Sequence, residues 1–190
     1  MSYNSYRKHH VGKSSQFPRG SQRYGNPHQK KEYESLCNDL SNSLNDLENM
    51  LTKNTDKLYD LIEKILKDDE KYYRALFGNT SKTAYRRVHE LLVSILDQLE
   101  YLVKQNYGKV PIELAKAKTL IHHQAARRQF QKGECAGQKS DALNYLDEII
   151  AILHSNLKNN RDPSSISNLV SSTRTLLDAF VVIVEKNARN

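Results

Sequence analysis

The sequence predicts an all-α protein, a compact bundle of five or six helices preceded by a disordered basic N-terminal arm. Three observations carry this. Apolar residues recur at spacings of three and four from Leu36 to Val184, the period of a helix with one buried face. No segment alternates apolar and polar residues as a half-buried strand does. Clusters of Gly, Pro and Asn fall between the periodic runs, where turns are needed.

The arm is residues 1–31, and the helical bundle is residues 32–190. Ser, Gly, Arg, Tyr, Gln and Asn dominate the arm, and Val11 is its only aliphatic β-branched residue. Such a segment cannot bury enough apolar area to offset its chain entropy, so disorder is expected. Tyr3, Tyr6, Phe17 and Tyr24 are interleaved with Arg and Lys, a pattern that can stack bases and meet phosphates. The same composition also serves as a solubilising extension.

From Glu32 a single stripe, Leu36, Leu40, Leu44, Leu47 and Leu51, predicts the first helix. Asn54 and Thr55 break it, and Asp56 begins the second. There Tyr59, Ile62, Leu66 and Tyr73 line one face, widened by Leu58, Leu61 and Ile65. Phe77-Gly78-Asn79-Thr80 is its stop, with Gly78 free to take a left-handed conformation. Thr80 or Ser81 can cap the third helix, which runs to about Gln105. Its core face is Val88, Leu91, Leu92, Ile95, Leu99, Leu102 and Val103. Lys82, Arg86 and Arg87 sit in its first turns, where they oppose the helix dipole. An anionic partner would make that placement tolerable; an ordinary solvated turn is the plainer explanation.

Asn106-Tyr107-Gly108 makes the next turn, and Pro111 suits the start of the fourth helix. That helix contains Lys116 to Arg128, KAKTLIHHQAARR, a stretch without a single acid. Ala117, Leu120, Ile121 and Gln124 form a narrow buried seam, while Lys116, Lys118, Arg127 and Arg128 lie on the other faces. Such a helix can stand in a bundle and offer its back to phosphates, or carry charges that are merely solvated. Residues 131–139 form a loop with two glycines, and Ser140 caps the fifth helix. Leu143, Leu146, Ile149, Ile150, Leu153 and Leu157 are its buried side. Asp162-Pro163 breaks the chain again. The sixth helix, from about Ser165 to Lys186, has the broadest apolar face and belongs at the centre of the core.

Charge is unevenly placed. Residues 1–31 hold seven Lys/Arg and no acid; residues 32–70 hold four Lys and eleven acids; residues 71–190 hold eighteen Lys/Arg and eleven acids. A basic tail, an acidic first segment and a basic remainder suit a polyanion on one side and a protein neighbour on another. No apolar run reaches the roughly 20 residues a membrane span needs, and no secretory leader is evident. Cys37 and Cys135 have no spacing that suggests a metal site, and a disulfide framework would use more cysteines. The expectation is a cytoplasmic, reduced protein without metal or other cofactor.

Catalytic constellations do not stand out. Nothing resembles a phosphate-binding glycine loop, a nucleophile elbow or a zinc-ligand set. His122 and His123 are adjacent and point about 100° apart on a helix, so they cannot jointly hold one metal ion without other ligands. The chain is therefore read as non-enzymatic, with a nuclease lacking a recognisable motif as the least favoured option.

Ile121-His122-His123-Gln124-Ala125-Ala126-Arg127, preceded by Lys116 and Lys118, resembles the signature of the small helical subunit of type III-A (Csm) CRISPR effector complexes. Ser81-Lys82-Thr83-Ala84-Tyr85-Arg86 corresponds to that family's capped upstream helix, and Leu169 to Lys186 to its final amphipathic helix. The likeness covers roughly residues 80–187; His123 stands where an aromatic is usual and Ala126 where Gly is common. The resemblance implies a non-catalytic, RNA-binding structural subunit that stacks in several copies along guide RNA and target RNA. Its partners would be those RNAs, the other CRISPR effector subunits and further copies of itself, with no membrane. The residues assigned to RNA are Lys82, Arg86, Arg87, Lys116, Lys118, Arg127 and Arg128. A protein–protein adaptor bundle with no nucleic-acid role is the alternative.

Overall fold

A computed structural model describes residues 27–105, 108–159 and 162–188. Most of the expected basic arm, the Asn106-Tyr107 part of the fourth turn, and the side chains of Leu102 and Val103 lie outside the described residues. Among the described residues there are eight α-helices, one 3-10 helix and no strand. In chain order they are α1 (Pro27–Asn45), α2 (Leu47–Thr52), α3 (Thr55–Lys67), α4 (Asp69–Phe77), α5 (Lys82–Gln105) and α6 (Lys109–Ala126). The 3-10 helix (Glu134–Gln138), α7 (Ala142–Asn159) and α8 (Pro163–Asn187) follow.

The all-α expectation holds, and the larger helix number has a simple origin. Each of the first two expected helices is broken in two, at Asp46 and at Asp68. Asp46 leaves helical geometry and turns its carboxylate to Lys57 Nζ at 2.7 Å and Asn49 Nδ2 at 3.1 Å. Those hydrogen bonds hold its carboxyl below the usual carboxylate range. α1 also begins at Pro27, inside the segment expected to be arm.

α8 is the central helix, and α2, α3, α4, α5 and α7 all pack on it. By length and composition it could cross a membrane, but Leu176, Leu177, Phe180, Ile183 and Val184 are wholly enclosed by its neighbours. That is how a core helix meets the same criterion. α5 runs antiparallel to α8 with three polar rungs: Arg86 to Glu185, His89 to Asp178, and Arg174 to Asp97. α6 packs on α5 and α7.

On α3 the inward face is Leu58, Leu61 and Ile65, not the stripe of Tyr59, Ile62 and Leu66. Tyr59 is 65% exposed and Leu66 37%. Both stripes are apolar and adjacent, and the break at Asp68 lets α3 turn the Leu58 stripe inward.

Side-chain caps close the starts of α3, α5, α7 and α8. Asn54 Oδ1 accepts from Lys57 N–H at 3.2 Å, Ser81 Oγ from Ala84 N–H at 3.2 Å, and Asp162 Oδ2 from Ser165 N–H at 2.9 Å. The cap of α7 is Asp141, which accepts from Asn144 N–H at 3.2 Å, rather than Ser140. Burial pushes the Asp141 carboxyl up, against hydrogen bonds from the Asn144 and Gly133 backbone that hold it down. Ser140 instead donates to the Cys37 carbonyl at 3.2 Å, and Tyr145 Oη donates to the Leu40 carbonyl at 2.8 Å. Both bonds fasten α1 to the start of α7.

The expectation of reduced cysteines is corrected. Cys37 on α1 and Cys135 on the 3-10 helix form a disulfide, with Cα atoms 5.2 Å apart and a sequence separation of 98. One bridge closing so long a loop can stabilise a fold by about 4 to 5 kcal/mol through the unfolded chain. Two distant cysteines carry no local pattern from which the pairing could be read.

Candidate nucleic-acid interface

α6 ends at Ala126, two residues short of the expected basic helix. The chain then closes on itself: Arg127 N–H donates to His123 O, Arg128 N–H to Ala125 O, and the Gln129 and Phe130 N–H groups to Gln124 O. Arg128 takes φ +58, a left-handed position that glycine or asparagine normally fills. An L side chain there costs roughly 1 kcal/mol. Lys139, which closes the 3-10 helix, takes φ +54. Among the described residues these are the two non-glycine positions with positive φ, and both are exposed cations. Strain retained at two cations of one connection is a pointer to function.

The turn comes from a hydrophobic anchor. Phe130 is buried against Phe77 and Tyr85, with ring centroids 6.0 and 6.3 Å away. Seating that ring requires the chain to leave α6 and cross toward the α4–α5 turn. There the buried Thr80 joins the two segments. Its Oγ1 accepts from Gln131 N–H at 2.8 Å and donates to the Phe77 carbonyl at 2.8 Å, with the Gln131 carbonyl 3.2 Å away. The approach is too close for side chains: a Cβ on Gly78 would sit 2.4 Å from the Lys132 carbonyl oxygen. Gly78 itself has φ +58.

These contacts bring two parts of the expected basic set to one end of the bundle. Lys82 opens α5 two residues after Thr80, and Arg127 and Arg128 lie just before Gln131. Lys132 and Lys139 stand on the connection that follows, in a stretch read from sequence only as a loop; Lys132 lines a cleft with Glu32, Asp68, Asp69, Glu70 and Glu134. Among the described residues, Lys82, Arg127, Arg128, Lys132 and Lys139 meet no carboxylate within salt-bridge distance. The α6 terminus favours cations through its dipole, whereas Lys82 stands at a helix start.

The remaining residues of the set are placed differently. Arg86 makes a two-pronged pair with Glu185, Nε to Oε1 at 2.8 Å and Nη2 to Oε2 at 2.9 Å. The anionic partner invoked for the α5 cations is thus, for Arg86, internal. Lys116 meets Glu113 at 2.7 Å, and Lys118 meets Asp147 at 3.6 Å. His122 reaches the same Asp147 at 3.0 Å. The stretch itself contains no acid, but α7 and the preceding turn of α6 supply two. Arg87 is exposed on α5 without an acidic partner among the described residues. Solvent-exposed pairs contribute about 0 to 1 kcal/mol, so Lys116 and Lys118 can exchange their carboxylates for phosphate at little cost.

Among the described residues no group of three or more His, Cys, Asp or Glu side chains could hold a metal ion. The arrangement offers positive charge on a rigid frame, which suits phosphate contacts that position a strand without reading its sequence. The chain matches no known family, no curated protein and no solved structure.

Proposed function

We propose that this chain is a cytoplasmic, non-catalytic RNA-binding structural subunit of a type III CRISPR ribonucleoprotein, stacking in several copies along guide RNA and target RNA. The observation that carries the RNA contact is the set Lys82, Arg127 and Arg128, drawn to one end of the bundle by the Thr80–Gln131 contact, without a carboxylate at salt-bridge distance among the described residues and with Arg128 held at positive φ. The resemblance of the Lys116–Arg127 stretch to the Csm small subunit supplies the assembly. Arg87, Lys116 and Lys118 extend the positive surface along α5 and α6, while Arg86 braces α5 on α8. The exposed Tyr59 and Leu66 side chains, flanked by Asp56, Asp60 and Glu63, suit a basic and apolar protein neighbour. They are also what favours the second reading, an adaptor bundle without RNA.

Single-stranded RNA binding across a salt series tests the assignment. Replacing Lys82, Arg127, Arg128 and Lys132 with Ala should flatten the slope of log affinity against log salt by roughly 2 to 3, since each lost phosphate contact removes about 0.7. Replacing Lys116 and Lys118 should move it less, because each has a carboxylate partner. An unchanged slope in the fourfold variant, with binding lost on deletion of residues 1–26, would transfer the RNA contact to the arm. Recovery of the chain with larger subunits and no RNA would favour the adaptor.

Arg128→Gly gives a second, sharper result. Glycine accepts φ +58 without penalty, so thermal stability should hold or rise by about 0 to 1 kcal/mol. RNA affinity should nevertheless fall. A residue retained only for its backbone geometry would show the stability change without the loss of binding.

A further inference from the structure

We propose that the Cys37–Cys135 pair is a reversible redox clamp on the basic connection between α6 and α7. The 3-10 helix in that connection has Cys135 as its one buried side chain, while Glu134, Gly137, Gln138 and Lys139 around it are exposed. Its tie to α1 is made by the sulfur atoms, aided by Ser140, which donates to the Cys37 carbonyl at 3.2 Å, and its other side rests on α4. α1 buries Leu36, Cys37 and Leu40 among residues 31–45, and Tyr33 and Leu44 pack against the core at lower burial. Removing the bridge takes away the covalent tie between the 3-10 helix and α1, while the packing of the 3-10 helix on α4 and the hydrogen bonds from Ser140 and Tyr145 to α1 remain. Between Phe130 and α7 the chain carries Lys132 and Lys139, with Arg127 and Arg128 just before it. Opening the clamp thus loosens the backbone that presents these cations.

The chemistry is thiol–disulfide exchange with a low-molecular-weight disulfide such as oxidised glutathione. One protein thiolate attacks it, forming a mixed disulfide and releasing one small thiol. The second protein thiolate then attacks the protein sulfur of that mixed disulfide and releases the other small thiol. Two protein thiols are oxidised and one small disulfide is reduced to two thiols. In a cytoplasm that keeps thiols reduced the clamp rests open, and an oxidising shift closes it. Cys37 is 6% exposed and Cys135 1%, so the closed bridge is reached by a reductant only when the connection opens.

The test uses the full chain, equilibrated either with oxidised glutathione or with excess dithiothreitol, then denatured and alkylated. The oxidised sample should carry no alkylated cysteine and the reduced sample two. Hydrogen exchange should then be faster over residues 131–140 in the reduced sample, by on the order of ten- to a hundredfold. Amides in the middle of α5 and α8 should be unchanged. The Cys37→Ala/Cys135→Ala variant, checked for helix content by circular dichroism, should reproduce the reduced pattern under both conditions. Two alkylatable thiols after oxidation, or equal exchange over 131–140 in the two states, would overturn the clamp.

The link to RNA rests on the function proposed above, and affinity for single-stranded RNA separates the two. Binding weaker in the reduced state supports the coupling. Absence of binding in both states overturns the RNA assignment alone, because alkylation and exchange judge the clamp independently.

Discussion

Gly133→Ala should lower stability by about 3 kcal/mol, a drop in Tm of roughly 6 to 12 °C for a chain of this size. A Cβ at this position would lie 2.0 Å from the Ala75 carbonyl oxygen and 2.5 Å from both the carbonyl carbon and the oxygen of Leu76. All three are backbone atoms at the end of α4, where Ala75 and Leu76 are fully buried, so they cannot swing aside as a flexible side chain could. The backbone of Gly133 is extended, at φ −70 and ψ 170, which alanine adopts freely. The penalty is therefore steric and owes nothing to conformational strain. Gly137 supplies the control, since a Cβ there meets nothing within 4 Å. Gly137→Ala should leave the melting curve within about 0.5 kcal/mol of wild type. Thermal melts of both variants decide the matter. A Gly133→Ala protein as stable as Gly137→Ala would mean that residues 131–133 do not lie against α4 as described.

The parts of the fold legible in the sequence are those governed by local pattern. Most of the α6 seam follows from spacing alone, with Ala117, Ile121 and Gln124 buried and Leu120 half-buried, as does the central place of α8. The capping of α5 by Ser81 and the turn at Gly78 follow from side-chain chemistry a few residues long. What could not be read depends on distant partners. The apolar stripe from Leu36 to Leu51 keeps its period across Asp46, so the break there is invisible until Lys57 is seen to draw the carboxylate away. α3 offers two neighbouring apolar stripes, and only its packing on α8 decides between them.

The site divides in the same way. The basic character of residues 116–128 follows from composition, but Ala125-Ala126-Arg127-Arg128 contains no helix breaker from which the end at Ala126 could be read. α6 stops there because Phe130 is drawn into a cluster assembled from α4, α5 and α8. The partners of Arg86 and Lys118, Glu185 and Asp147, are 99 and 29 residues away in sequence, the latter from the difference 147 − 118. Lys132 and Lys139 carry no signal in the sequence, because a loop with glycines reads as a connector. Their positions matter only once Thr80 is seen to hold that loop beside Lys82.

Phe77→Ala should be the most damaging single truncation, costing about 4 kcal/mol and lowering Tm by roughly 8 to 16 °C. The ring is fully buried where α4, α5, α8 and the connection after α6 converge. It meets Tyr85 edge-on at 5.0 Å and Phe180 edge-on at 5.5 Å, and lies 6.0 Å from Phe130. Each such pair adds about 0.5 to 1.5 kcal/mol beyond the area it buries, so deletion removes several favourable contacts at once. It also leaves a void bounded by other rings, which cannot collapse without moving α5 or α8. Phe77→Leu keeps most of the volume and should cost less, about 1 to 1.5 kcal/mol. The effect should reach the basic cluster, because Phe130 loses one wall of its seat, even though the Phe77 carbonyl that Thr80 bonds is kept. Well below its own Tm, the Phe77→Ala protein should therefore bind single-stranded RNA more weakly than wild type, with no cation altered. Thermal melts, followed by RNA titration at a temperature where both proteins are folded, check the two effects separately. A Phe77→Ala protein melting within a degree or two of wild type would remove Phe77 from the centre of the core. An unchanged affinity in a folded but destabilised variant would show that the cations keep their places without the aromatic seat.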